Sequence, residues 1–150
     1  MATLLSTQLT PPAAPIAGVG MGGQILHSAV GTYTITAALV LADVINLFYL
    51  PRNARVVGGY VKSDDLDSGG TGLRIDVGDA GDVDRYLTGG AGTPGPVAGV
   101  TNDIASTGIG YLNTAKTLVS ATVSTGPTTG ATTGTFTVRL FYTVEEPVLP

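Results

Sequence analysis

Phe136-Thr137-Val138-Arg139-Leu140-Phe141-Tyr142-Thr143-Val144 alternates apolar and polar side chains almost without a break. Period two is strand geometry, because successive side chains leave opposite faces of an extended chain. Phe136, Val138, Leu140, Tyr142 and Val144 therefore share one face. Thr137, Arg139 and Thr143 point away, and Phe141 interrupts the polar side. Working back along the chain, Thr117-Leu118-Val119-Ser120-Ala121-Thr122-Val123 reads as another strand. Residues 126–134, built only from Gly, Pro, Thr and Ala, read as a hairpin connection between the two.

The same grammar runs from Gln24 onward. Tyr33-Thr34-Ile35-Thr36 and Val44-Ile45-Asn46-Leu47-Phe48-Tyr49-Leu50 are rich in β-branched and aromatic residues. Leu50-Pro51-Arg52-Asn53-Ala54 predicts a turn, with Pro51 presetting φ and Asn53 tolerating the left-handed region. Arg55 to Lys62 predicts a strand in which Gly58-Gly59 marks a bulge or a close backbone approach. Asp64 to Gly72 is a polar loop, and Leu73, Ile75 and Val77 then fall on one face of a further strand. Tyr86 and Leu87 fit a short strand or a helical turn, and residues 89–99 form a long Gly/Pro loop. Only Leu39 to Asp43 could be helical, and it is too short to stand alone. About eight short strands between Gly, Pro and Asp turns predict an all-β sandwich or barrel. The long return connection through residues 89–109 suits a Greek-key or jelly-roll path better than a plain meander.

Residues 1–23 read as an extended arm ahead of a single domain over 24–150. Thr10-Pro11-Pro12-Ala13-Ala14-Pro15 favours a polyproline-like backbone, and the glycines of 18–23 supply a flexible junction. An uncharged, apolar arm either packs along a partner or hangs as a disordered tail.

The chain has 150 residues, room for one domain rather than two. Its 43% hydrophobic content suffices for one core, whereas 12% charged residues is about half the usual share. With a mean hydropathy of +0.34, such a surface is expected to be covered by other protein. No apolar run reaches the roughly 18 residues of a membrane span, and residues 1–9 lack the pattern of a secretion signal. A net charge of −4 with seven scattered Lys and Arg argues against a nucleic-acid partner. The absence of cysteine removes disulfides, thiolate metal sites and cysteine catalysis.

The carboxylates are the clustered groups: Asp64, Asp65 and Asp67 in one loop, and Asp76, Asp79, Asp82 and Asp84 around the next turn. The latter four are the candidate metal ligands, because carboxylates between glycines can hold Ca²⁺. Their spacing matches neither an EF-hand loop nor a glycine-rich calcium repeat. The plainer account is that Asp builds turns by bonding the backbone two residues on. A paired-carboxylate glycosidase site is disfavoured without tryptophan to form a sugar platform. His27, the only histidine, has no metal set or triad beside it in sequence. Gly18-Val19-Gly20-Met21-Gly22-Gly23 follows a proline-rich arm rather than a strand and lacks the phosphate-loop lysine. No enzyme activity and no cofactor are expected. Of the six tyrosines, about two are expected at an interface.

Leu50-Pro51-Arg52-Asn53-Ala54-Arg55-Val56-Val57-Gly58-Gly59-Tyr60-Val61-Lys62-Ser63-Asp64-Asp65-Leu66-Asp67, followed by Ile75-Asp76-Val77-Gly78-Asp79-Ala80-Gly81-Asp82-Val83-Asp84-Arg85-Tyr86-Leu87, resembles the head decoration or cement proteins of tailed bacteriophages. The resemblance lies in a pattern of strand, acidic turn and strand, and it carries no catalytic signature. It implies a jelly-roll-like β-sandwich on the outer surface of the capsid, made in the host cytoplasm and resident in the virion. It further implies a homodimer or homotrimer that bridges neighbouring major capsid protein subunits against internal DNA pressure. Extended arms along the shell are a habit of that family, so Thr10, Pro11, Pro12, Pro15 and Ile16 become the candidate capsid contacts. The competing expectation is a calcium- or carbohydrate-binding adhesion module of a virion, in which Asp76, Asp79 and Asp82 converge on one ion.

Overall fold

The computed structural model describes residues 3–5, 25–90, 93 and 101–145. The described residues form nine strands: β1 Thr3–Leu5, β2 His27–Ile35, β3 Val44–Leu50, β4 Ala54–Ser63, β5 Arg74–Asp79, β6 Asp82–Leu87, β7 Thr101–Asp103, β8 Thr117–Thr125 and β9 Gly134–Val144. They make two sheets, ordered β1-β3-β8-β5-β6 and β2-β9-β4-β7. The expected β-sandwich is thus present, and the barrel is not.

The path is a nested antiparallel ladder: β2 with β9, β3 with β8, β4 with β7, and β5 with β6. Rolling that ladder on itself adds β4 to β9 and β5 to β8. Eight strands so arranged in two sheets are a jelly roll. β1 lies outside this set, adding a parallel edge strand beside β3 with Thr3 opposite Val44. The other arm residues singled out above, Thr10, Pro11, Pro12, Pro15 and Ile16, lie outside the described residues, as does the 18–23 glycine run.

β9 behaves as its alternation requires. Phe136, Val138 and Leu140 are fully buried and Tyr142 nearly so, while Val144 packs against the core edge. Facing them are Ile45, Leu47 and Leu50 of β3, Ile75 and Val77 of β5, and Val119, Ala121 and Val123 of β8. Each fully buried large side chain contributes roughly 1.5–3 kcal/mol. Thr137 and Thr143, on the far face, are also buried, because β9 lies between β2 and β4 and their side chains flank it. Thr137 shares a 3.0 Å hydroxyl hydrogen bond with Thr32 of β2.

The Gly58-Gly59 expectation is met twice over. Register slips between Val56 and Gly58, so Val57 bulges out of β4. Gly59 has φ +157°, and a Cβ there would collide with the Arg139 carbonyl oxygen. Gly31 marks the second close approach, where a Cβ would stand 2.8 Å from Leu47 Cβ and β2 meets β3 between sheets.

One expectation is corrected and two open readings are decided. Residues 126–133 do not form a hairpin: β8 and β9 belong to different sheets, and the loop crosses between them. Turn composition marks where a chain reverses without naming the strand it returns to. Residues 39–43 form no helix; Ala42 takes φ 68° in a turn whose Val40 N–H donates to Asp43 Oδ2 at 3.0 Å. Tyr86 and Leu87 belong to a strand, with Leu87 opposite Val77.

Candidate interaction surfaces

The acidic residues divide between the two ends of the sandwich. At the end formed by residues 36–43, 64–73 and 126–133, Asp67 is buried with 1% exposure. Its Oδ2 accepts from the N–H groups of Gly72 (2.8 Å) and Leu73 (3.0 Å), and Oδ1 accepts from Thr129 N–H (2.9 Å). Burial alone would push its pKa up. The backbone N–H groups of Thr129, Thr128, Leu73 and Gly72 outweigh it and hold the carboxyl below its ordinary range. Asp67 is thus a latch between two loops. Asp64 takes the N–H and hydroxyl of Thr135, at 2.7 and 2.9 Å, and Asp65 takes the N–H of Asp67 at 3.0 Å. Only Asp65 makes the local bond of an Asp turn; Asp64 and Asp67 tie segments distant in sequence.

The four candidate metal ligands do not gather at one point, although Asp82 and Asp84 come close enough to share a side-chain hydrogen bond. Asp76 accepts from Gly89 N–H at 2.7 Å. Asp79, 4% exposed, accepts from Arg85 Nε at 2.8 Å and from the N–H groups of Gly81 and Asp82. Asp82 stands 3.9 Å from Arg85, and Asp84 accepts from the Thr88 hydroxyl at 3.0 Å. Among the described residues no three His, Cys, Asp or Glu side chains are grouped to hold an ion. His27 stacks on Tyr142 with ring centroids 5.4 Å apart.

The opposite end is tied by arginines. Arg85 lies 3.6 Å over the Tyr111 ring while it pairs with Asp79. Arg55 pairs with Glu145 and donates to Gly110 O at 2.6 Å, drawing the 104–116 loop and the end of β9 onto β4. The buried Asn113 completes this seam, exchanging backbone hydrogen bonds with Asn53 and Ala54. Beneath it Tyr86 is fully buried, and burial pushes its hydroxyl pKa well above the ordinary value.

Two kinds of exposed surface remain. Ile25, Leu26, Val40, Leu41, Val83 and Ile109 are exposed apolar residues at strand ends and loops. The outer face of β2-β9-β4-β7 is broader. Register aligns Val30, Arg139, Tyr60 and Asp103 in one row across its four strands. The next row holds Ser28, Phe141 and Gly58, with the bulged Val57 beside it. Arg139 sits 5.9 Å from the Tyr60 ring centroid, and its buried Nε has no acceptor among the described residues. Tyrosine composition alone could not single out this row; strand register does, by setting Tyr60 beside Arg139.

No family model matches the chain, and no curated protein does. Solved structures do. A chain of the cyanophage Pam1 capsid asymmetric unit is 28% identical, with a TM-score of 0.68 over 88% of this chain and 94% of that one. The structural neighbours are phage capsid proteins. A chain of the Ralstonia phage GP4 capsid superimposes with a TM-score of 0.78 at 24% identity, covering 97% of this chain and 99% of that one. A chain of the acid-stable capsid of Helicobacter pylori bacteriophage KHP30 gives 0.58 at 16% identity, over 81% and 90%. The latter two establish the shared fold.

Proposed function

We propose that this chain is a structural protein of a phage virion, without catalytic activity, that binds the outside of the capsid. There it stabilises the shell by bridging neighbouring major capsid protein subunits, self-associating as a dimer or trimer. The observation that carries this reading is near-complete mutual coverage, 88% of this chain and 94% of the cyanophage capsid chain at 28% identity. The correspondence is therefore between whole sandwiches rather than a shared fragment. A chain with 12% charged residues agrees, since contact with other protein removes the need for a heavily charged exterior. The adhesion-module alternative draws no support from the carboxylates, which are engaged by Arg85, Thr88 and backbone N–H groups.

Titration of the purified protein onto expanded heads lacking it tests the reading. Saturable, stoichiometric binding and a higher head-rupture temperature are expected; heads that remain bare and rupture unchanged at excess protein overturn it. Replacing residues 10–16 by a Gly/Ser sequence of equal length is expected to weaken that binding. This variant is preferable to deleting residues 1–15, which removes β1 from its sheet as well.

A further inference from the structure

We propose that the outer face of β2-β9-β4-β7 is a two-fold contact between copies of this chain, closed by Arg139 of one copy against Asp103 of the other. The inference deepens the self-association in the reading above and rests on that part of it alone. Its basis is a row that carries two unmatched, opposite charges. Arg139 and Asp103 flank Tyr60 on either side, two strand spacings or roughly 10 Å apart. That is too far for a direct pair within one chain. Neither has an ion-pair or hydrogen-bond partner among the described residues; the Arg139 guanidinium lies 5.9 Å from the Tyr60 ring centroid. Of the remaining segments, residues 1–2, 6–24, 91–92 and 94–100 contain no Asp or Glu, so none can supply Arg139 with a side-chain carboxylate. A buried guanidinium N–H without an acceptor is costly, and a matching carboxylate removes much of that cost.

A second copy supplies the complement through symmetry. A two-fold axis lying between the faces and running along β4 reverses the order of strands across the row. It carries β7 of one copy over β9 of the other, so Arg139 meets Asp103 twice and Tyr60 lies on its symmetry mate. Such an interface is isologous and self-complementary. The long arginine and the short aspartate together span the roughly 10 Å between stacked sheets. Beside the axis, a Cβ added at Gly58 would meet no atom beyond its chain neighbours nearer than Phe141 Cδ2 at 4.0 Å. That leaves a shallow seat flanked by Phe141 and the 43%-exposed Val57. Tyr and Arg at the centre of a contact are among the residues that dominate strong contact sites. Lys62, exposed in the next row of β4, approaches its own mate near the axis; its flexible stem can carry the ammonium to the rim.

Sedimentation equilibrium of the full chain over a wide concentration range reads the contact. The wild type is expected to dimerise, and Arg139→Asp or Asp103→Arg alone to weaken the dimer about tenfold or more. The double variant Arg139→Asp/Asp103→Arg restores it, and an equimolar mixture of the single variants forms a heterodimer with both contacts complementary, one native and one charge-swapped. Circular dichroism confirms that each variant is folded. Dimerisation unchanged by either reversal, a folded double variant that stays monomeric, or a trimer overturns this contact while leaving self-association standing. A wild type monomeric at every concentration overturns both, with shell binding still to be judged on heads. Glu146→Gln checks the one Asp or Glu outside the described residues; if it matches the Arg139 reversal, the arginine's partner lies in its own chain and the contact fails.

Discussion

The two ends of the sandwich are tied by opposite chemistries. At one, the loops 64–73 and 126–133 converge on Asp67, a buried carboxylate answered entirely by backbone N–H groups. At the other, Arg55 pairs with Glu145 and donates to Gly110 O of the 104–116 loop, and Arg85 pairs with Asp79 while lying over Tyr111 of that loop. Backbone donors cannot swing away, so the first end is held in one geometry and its strength depends on one proton. Ion pairs tolerate rearrangement and respond to salt in proportion to their exposure. The Arg85–Asp79 pair is mostly sheltered, with 11% and 3% side-chain exposure, whereas Arg55–Glu145 shows 39% and 30%. The second end is therefore graded from firm to loose.

Breaking Asp67 is expected to have the largest effect. Asp67→Asn keeps the shape but turns an NH₂ group toward N–H donors, leaving one or two of them unsatisfied in a buried site. The expected cost is about 3 kcal/mol, read as a lower urea midpoint with an unchanged slope. Arg85→Met comes next. It keeps apolar contact with Tyr111 but leaves Asp79 with only the N–H groups of Gly81 and Asp82. The expected loss is about 2 kcal/mol, below the usual 3–5 kcal/mol for half of a buried pair because those two donors remain. If Arg85→Met costs more than Asp67→Asn, the ranking of the two ends is reversed.

The strands that build this frame were legible because their core faces alternate. Leu73, Ile75 and Val77 advertise β5, and residues 136–144 advertise β9. β7 was not, since Thr101-Asn102-Asp103 has no apolar face and exists only as a short ladder against Tyr60, Val61 and Lys62. β1 was hidden for a related reason: three residues ahead of a proline-rich run are identified as a strand only by their pairing with β3. The Asp67 latch was half legible. Asp in a glycine-containing loop signals a turn, but its contact with Thr129 joins residues 62 apart in sequence. The same holds for Arg139, Tyr60 and Asp103, whose alignment depends on the registers of three strands.

Acid sharpens the contrast. The folded Asp67 carboxyl lies below its unfolded value, so its stabilisation is complete above the ordinary carboxylate range and is lost as pH falls through the lower folded value. In that window the unfolded chain binds more protons, and stability must rise with pH. Urea midpoints measured from neutral pH down through about pH 4, the ordinary carboxylate value, and below are expected to fall more steeply for the wild type than for Asp67→Asn. Parallel acid limbs would assign the acid sensitivity elsewhere.

The smallest effect is expected at the looser tie. Arg55 holds the Glu145 carboxyl below its ordinary range chiefly by donating to it, which gives Glu145→Gln the same sign of pH dependence as Asp67→Asn. The magnitude differs, because both partners remain in contact with water and their attraction is screened. The glutamine can still accept from Arg55, and Arg55 keeps its bond to Gly110 O. The change in urea midpoint is therefore expected to be slight at low ionic strength and to vanish near 1 M salt, where the Debye length shrinks to about 3 Å. The Asp67→Asn deficit, made of unsatisfied backbone donors, is expected to survive the same salt. A Glu145→Gln loss that is large and salt-resistant would mean the β9 end is fastened as firmly as the Asp67 latch.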